Sequence, residues 1–169
     1  MKPTKLSTLI TAAISVGILA YGVCVLLVRL GAQMPVSATT LIGTLIVIPI
    51  VLLILALPIF RYRAAIKAAL AQADEAKKQP VKRVDPFYAL RVALLSKAVS
   101  LSGSIFGGWH VGVLIAVLSS PQISSASVWR TALALVASVA MVVCGLVVER
   151  ACKVPPDANV SSDTEASPA

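Results

Sequence analysis

Residues 40–60 read TLIGTLIVIPIVLLILALPIF, 21 residues without a charge. An α-helix rises ~1.5 Å per residue, so a run of this length reaches across a ~30 Å hydrocarbon layer. Helices buried in water-soluble domains rarely run this far without a charged residue. Three more charge-free apolar runs share the property: Leu6 to Val28, Ala98 to Leu118 and Thr131 to Val148. An outer-membrane barrel would show short alternating segments instead. Composition agrees. The 169 residues are 58% hydrophobic and 13% charged, with mean hydropathy +0.92. An ordinary soluble domain carries about 25% charged residues. Three cysteines are too few for a disulfide scaffold. The expected fold is all-α: an integral membrane bundle of four transmembrane helices near 6–28, 40–60, 89–118 and 131–150, within a domain 1–153.

Basic residues set the expected orientation. With both termini cytoplasmic, 13 of the 15 Lys and Arg lie inside, and only Arg29 and Arg130 lie outside. Cytoplasmic loops are enriched in Lys and Arg, so the reading is N-in, C-in, in the plasma membrane. Lys2 and Lys5 also resemble the basic start of a signal peptide. A signal core is only about 7–15 residues long, and no A-x-A site follows closely, so a retained first helix is expected.

The outer loops are short. Arg29 to Thr39 holds Gly31 and Pro35, and Ser119 to Arg130 is Ser-rich with Pro121. The inner loop is basic and expected to be largely helical. Arg61 to Lys78 is rich in Ala, Lys and Arg, which extend helix two beyond the membrane. Asp74 and Lys78 form an i,i+4 pair there, and Gln79-Pro80 ends the helix. Val84-Asp85-Pro86 reads as the next start, with Asp85 as cap, ahead of the apolar core of helix three. Pro49 should kink helix two. From Val154 the chain turns to Pro, Ser, Thr and Asp, and 154–169 is expected to be a disordered cytoplasmic tail.

Catalytic chemistry finds little footing. No Ser-His-Asp set, P-loop, HExxH or glycine-rich nucleotide fingerprint occurs. Cys24, Cys144 and Cys152 are scattered, without metal or redox spacing. No catalytic residue, cofactor or metal is expected. His110, the single histidine, is the candidate polar group inside the membrane. With no carboxylate at its depth, a helix–helix hydrogen bond is favoured over proton relay.

Helix three carries the strongest pattern. Gly103 and Gly107, then Gly108 and Gly112, are small-xxx-small pairs, which let helix backbones approach closely in lipid. At 100° per residue, Lys97, Ser100, Ser104, Gly108 and Gly112 share a face; Ser96, Gly103, Gly107 and His110 share the adjacent one. Ala134, Ser138, Gly145 and Glu149 share a face of helix four. Helix three is therefore expected to be the packing centre. Lys97 and Glu149, at the cytoplasmic ends of these faces, form a candidate ion pair.

Between Val84 and Pro156 the chain resembles a small actinobacterial membrane-protein family recorded only as a domain of unknown function. The features are Asp85-Pro86, Ala89-Leu90-Arg91-Val92 and Leu95-Ser96-Lys97-Ala98 before the small-residue run, Val148-Glu149-Arg150-Ala151-Cys152-Lys153-Val154-Pro155 after helix four, and the four-span layout with its basic middle loop. The resemblance implies a plasma-membrane protein and supplies no catalytic residue.

The expected function is therefore that of a non-enzymatic accessory or assembly partner. A small transporter or channel subunit is the alternative, motivated by Pro49, His110 and Lys97. A lipid-modifying enzyme would need clustered carboxylates or histidines that are missing. Expected partners are membrane lipids and a membrane protein or a second copy of the chain, not nucleic acid.

Overall fold

A computed structural model describes residues 4–32, 35, 37–71, 85–120 and 124–152. Four helices fill these segments: α1 (Leu6–Arg29), α2 (Thr39–Ala71), α3 (Pro86–Leu118) and α4 (Ser125–Cys152). All four are long and apolar enough to cross a membrane, and no strand occurs among the described residues. The Asp74–Lys78 pair, Gln79-Pro80 and the 154–169 tail lie outside them.

Local chemistry explains the helix ends. α1 stops where Gly31 takes φ +71°, a left-handed conformation that costs glycine little. α3 begins at Pro86, ahead of residue 89, because Asp85 Oδ1 accepts the Phe87 N–H at 3.0 Å and proline suits the first turn. α4 begins at Ser125, ahead of residue 131. Arg130 breaks the apolar run, but it does not break backbone hydrogen bonding. The Ser127 and Val128 N–H groups donate to the Ser124 carbonyl, and Arg130 is exposed. α2 continues to Ala71, past the residue 60 limit of its apolar run, and carries both Pro49 and Pro58 inside the helix.

The helices pack in the order α1–α3–α4–α2, with a smaller α2–α3 contact. Among the described residues α1 touches no helix but α3. Consecutive helices α1 and α2 are thus not neighbours among the described residues, and the bundle is laid out as an open row with α1 at one edge. Close contacts give the directions. Ala13 lies against Gly108 and Gly17 against Gly112, so α1 and α3 run parallel. Ser138 lies by Gly103 and Gly145 by Ser100, so α3 and α4 run antiparallel. Lys5, Arg61, Arg63, Arg91, Lys97 and Arg150 gather toward one end, and Arg29 and Arg130 lie at the other.

Apolar side chains from α2, α3 and α4 form the main core, including Leu45, Leu52, Val92, Met141 and Val148. A second cluster joins Cys24 of α1 to Val113, Ala116 and Val117 of α3. The Tyr88 hydroxyl ties α3 to α2 by donating to the Leu55 carbonyl at 2.7 Å, in the turn that Pro58 interrupts. Most Leu, Ile and Val side chains of α1 and α2 face outward. Lipid is as apolar as these side chains, so close backbone approach, not apolar burial, must hold the helices together.

Candidate functional site

Glycine and serine set the α3 interfaces. A Cβ at Gly108 would collide with the Ala13 carbonyl, and one at Gly112 with the Gly17 carbonyl. α1 contributes its own small residues, Ala13, Gly17 and Ala20, at matching heights. Their near-fourfold spacing is readable in the sequence of α1. Toward α4, a Cβ at Gly103 would lie 3.0 Å from the Ser138 carbonyl oxygen, and one at Gly145 2.8 Å from that of Ser96. Gly107 differs from its neighbours. Its nearest prospective contact is Ser138 Cβ at 3.7 Å, so it borders open space rather than a tight seam.

Buried hydroxyls could have marked a polar path. Instead each turns onto its own helix. Ser96, Ser100 and Ser104 donate to the carbonyls three residues earlier at 2.7–3.0 Å. Thr131 and Ser138 donate to those four residues earlier. His110 is 1% exposed, and its Nδ1 lies 2.6 Å from the Phe106 carbonyl oxygen. That geometry requires the Nδ1–H tautomer as donor. The bond runs within α3, where a bond between helices was expected. A histidine side chain folded back along its own helix reaches the carbonyl one turn earlier.

The basic end holds the one buried carboxylate among the described residues. Glu149 is 5% exposed and lies one turn beyond Gly145, whose neighbours are Ser96 and Ser100 of α3. Its Oε1 accepts the Thr4 N–H at 2.8 Å. α1 has no acidic residue in its first turn, and its N-cap Lys5 makes no side-chain cap bond. Glu149 therefore supplies from α4 the negative charge that the start of α1 lacks, an interaction worth up to ~2 kcal/mol when partly buried. Nothing in the local sequence of either helix announces this bond. Lys97 is half-buried and follows Ser96, whose carbonyl lies against Gly145 on the α3–α4 seam. Arg63 of α2 crosses to α4, where Nη1 donates to the Arg150 carbonyl at 2.8 Å and caps the end of that helix.

Cys24, Cys144 and Cys152 are free thiols on separate turns. Among the described residues no group of His, Cys, Asp and Glu could hold a metal. On one side of the row an apolar groove of about 650 Å³ runs between α1 and α4, floored by Gly103, Ser104 and Gly107 of α3.

Four long apolar helices, with their buried serine and threonine hydroxyls folded onto their own backbones, define a multi-pass membrane protein. The chain belongs to the family described as protein of unknown function DUF3180, whose model matches residues 9–156. The match takes in α1 from Leu9 and all of α2, α3 and α4, and extends well before the Val84–Pro156 stretch that carries the resemblance. No curated protein and no solved structure matches the chain.

Proposed function

We propose that this chain is a non-enzymatic accessory or assembly partner in the plasma membrane of an actinobacterium, with both termini cytoplasmic. One observation carries the reading: among the described residues the helices form an open row in which α1 has a single helix neighbour. Such an edge helix offers the face turned away from the groove, with Leu19 and Leu26 exposed, to another membrane helix. The self-bonded serines and the apolar core favour this reading over a transporter or channel subunit. Transport through the row would need hydroxyls or charges aimed into a shared path.

The test is crosslinking from a photoreactive residue at Leu19 in native membranes, followed by purification in mild detergent. A discrete crosslinked protein is the expected result. A chain that crosslinks only to lipid and supports ion or solute flux in liposomes would replace the partner reading with the transporter one.

Orientation has its own test. The charge asymmetry between the two ends supports a cytoplasmic basic end. In a variant retaining Cys152 as its only cysteine, an impermeant thiol reagent is expected to label the protein only after the cells are opened. Labelling in intact cells would invert the topology.

A further inference from the structure

We propose that the groove between α1 and α4 holds one acyl chain of an anionic phospholipid, whose head group lies at the basic end beside Lys5. The walls are Ile10 and Ile14 of α1 and Val139 and Val143 of α4, and the floor is Gly103 and Gly107. Ser104 in the floor has already given its hydroxyl to the Leu101 carbonyl. The groove therefore offers a hydrocarbon surface without a hydrogen-bond partner at its floor, which suits an alkyl chain and not a polar solute.

Size separates a lipid chain from a protein helix. From Leu6 to Tyr21 the groove follows α1 for about 22 Å at ~1.5 Å per residue. A helix about 10 Å across would occupy on the order of 1,700 Å³ over that length. The enclosed part of the groove, 650 Å³, is well under half of this, so a helix would ride on its rim, whereas an alkyl chain can lie along its floor. Gly107 matters here because it is the floor glycine without a tight neighbour. Its missing side chain opens the groove rather than admitting another helix of the row.

Charge places the head group. Lys5 is exposed and immediately precedes Leu6, where the groove begins. Of the acids described, Glu149 is buried against Thr4, and Asp85 stands at the start of α3, about four turns beyond the level of Leu6. The exposed charge where the groove begins is thus positive, complementary to a phosphate-bearing head group.

This inference does not depend on a protein partner, so failure of the crosslinking experiment leaves it intact. Full-length protein, stripped of lipid in detergent, is titrated with phosphatidylglycerol or phosphatidylcholine of identical chains and read by native mass spectrometry. The wild type is expected to bind one phosphatidylglycerol in preference to phosphatidylcholine. Gly107→Leu fills the floor and should lose binding of both lipids, while circular dichroism shows an unchanged helical fold. Ile14→Trp, which blocks the groove from its exposed rim, should give the same loss if Gly107→Leu folds poorly. Lys5→Gln should lower phosphatidylglycerol affinity about five-fold and leave phosphatidylcholine unchanged. Wild-type binding in folded Gly107→Leu or Ile14→Trp overturns the proposal. So does a wild-type dimer that either variant converts to monomer, because the groove would then be an interface between two copies.

Discussion

Gly108→Leu is expected to abolish recovery of folded protein, whereas Gly107→Ala is expected to fold as well as the wild type or better. The two glycines are adjacent and belong to the same small-residue run, yet their surroundings are opposite. A Cβ at Gly108 would overlap the Ala13 carbonyl and lie 2.9 Å from Ala13 Cα. Those are backbone atoms, which no rotamer change can move aside. A leucine there must push α1 off α3, at about 3 kcal/mol or more. Separation is especially damaging because, among the described residues, α3 is the one helix that α1 packs against. Lipid offers no hydrophobic gain to compensate. A Cβ at Gly107 would meet only Ser138 Cβ at 3.7 Å, an ordinary contact. Alanine there should gain up to ~1 kcal/mol of helix propensity. Thermal unfolding in detergent, followed by circular dichroism, measures both variants. A wild-type melting temperature for Gly108→Leu would mean that α1 and α3 do not meet along this line.

The second large effect is expected at Glu149. Glu149→Leu removes the acceptor for the Thr4 N–H and the buried charge together, at roughly 3–5 kcal/mol if that charge is paired. Glu149→Gln separates these roles, because its amide oxygen can still accept the Thr4 N–H. The electrostatic part should then appear as coupling to Lys97. Gly145 faces Ser96 and Ser100, and Glu149 lies one turn farther toward the basic end. Cβ atoms on a helix tilt toward its N-terminus, so the Lys97 side chain leans toward the same level. A double-mutant cycle with Lys97→Met and Glu149→Gln should give a coupling energy of at least ~1 kcal/mol. Additive losses would leave Glu149 as a cap for α1 and dissolve the ion pair.

The sequence alone determined that the chain crosses a membrane as helices, since four charge-free runs of 18–23 residues leave no other way to satisfy their backbones in hydrocarbon. It also determined the Asp85 start of α3, because an Asx-Pro start works within one turn. It identified helix three as rich in close-packing residues, because glycine spacing of four is visible without coordinates. The partner of each glycine was not visible. Gly103, Gly107, Gly108 and Gly112 share a run, but only the rotation of α3 between two neighbours separates the α4 seam, the open floor and the α1 seam. Likewise His110 was legible as a buried polar group. Its bond to Phe106 depends on a rotamer, and periodicity does not record rotamers. Helix order was also decided by tertiary structure. Short loops favour neighbouring helices, yet α1 and α2 are separated, because backbone fit against Gly108 and Gly112 places α1 on α3. The bonds from Thr4 to Glu149 and from Arg63 to Arg150 join residues 145 and 87 positions apart. Such long-range bonds arise only once packing has brought the helix ends together, which is why the basic end was visible in the sequence as charge and in the fold as a capped junction.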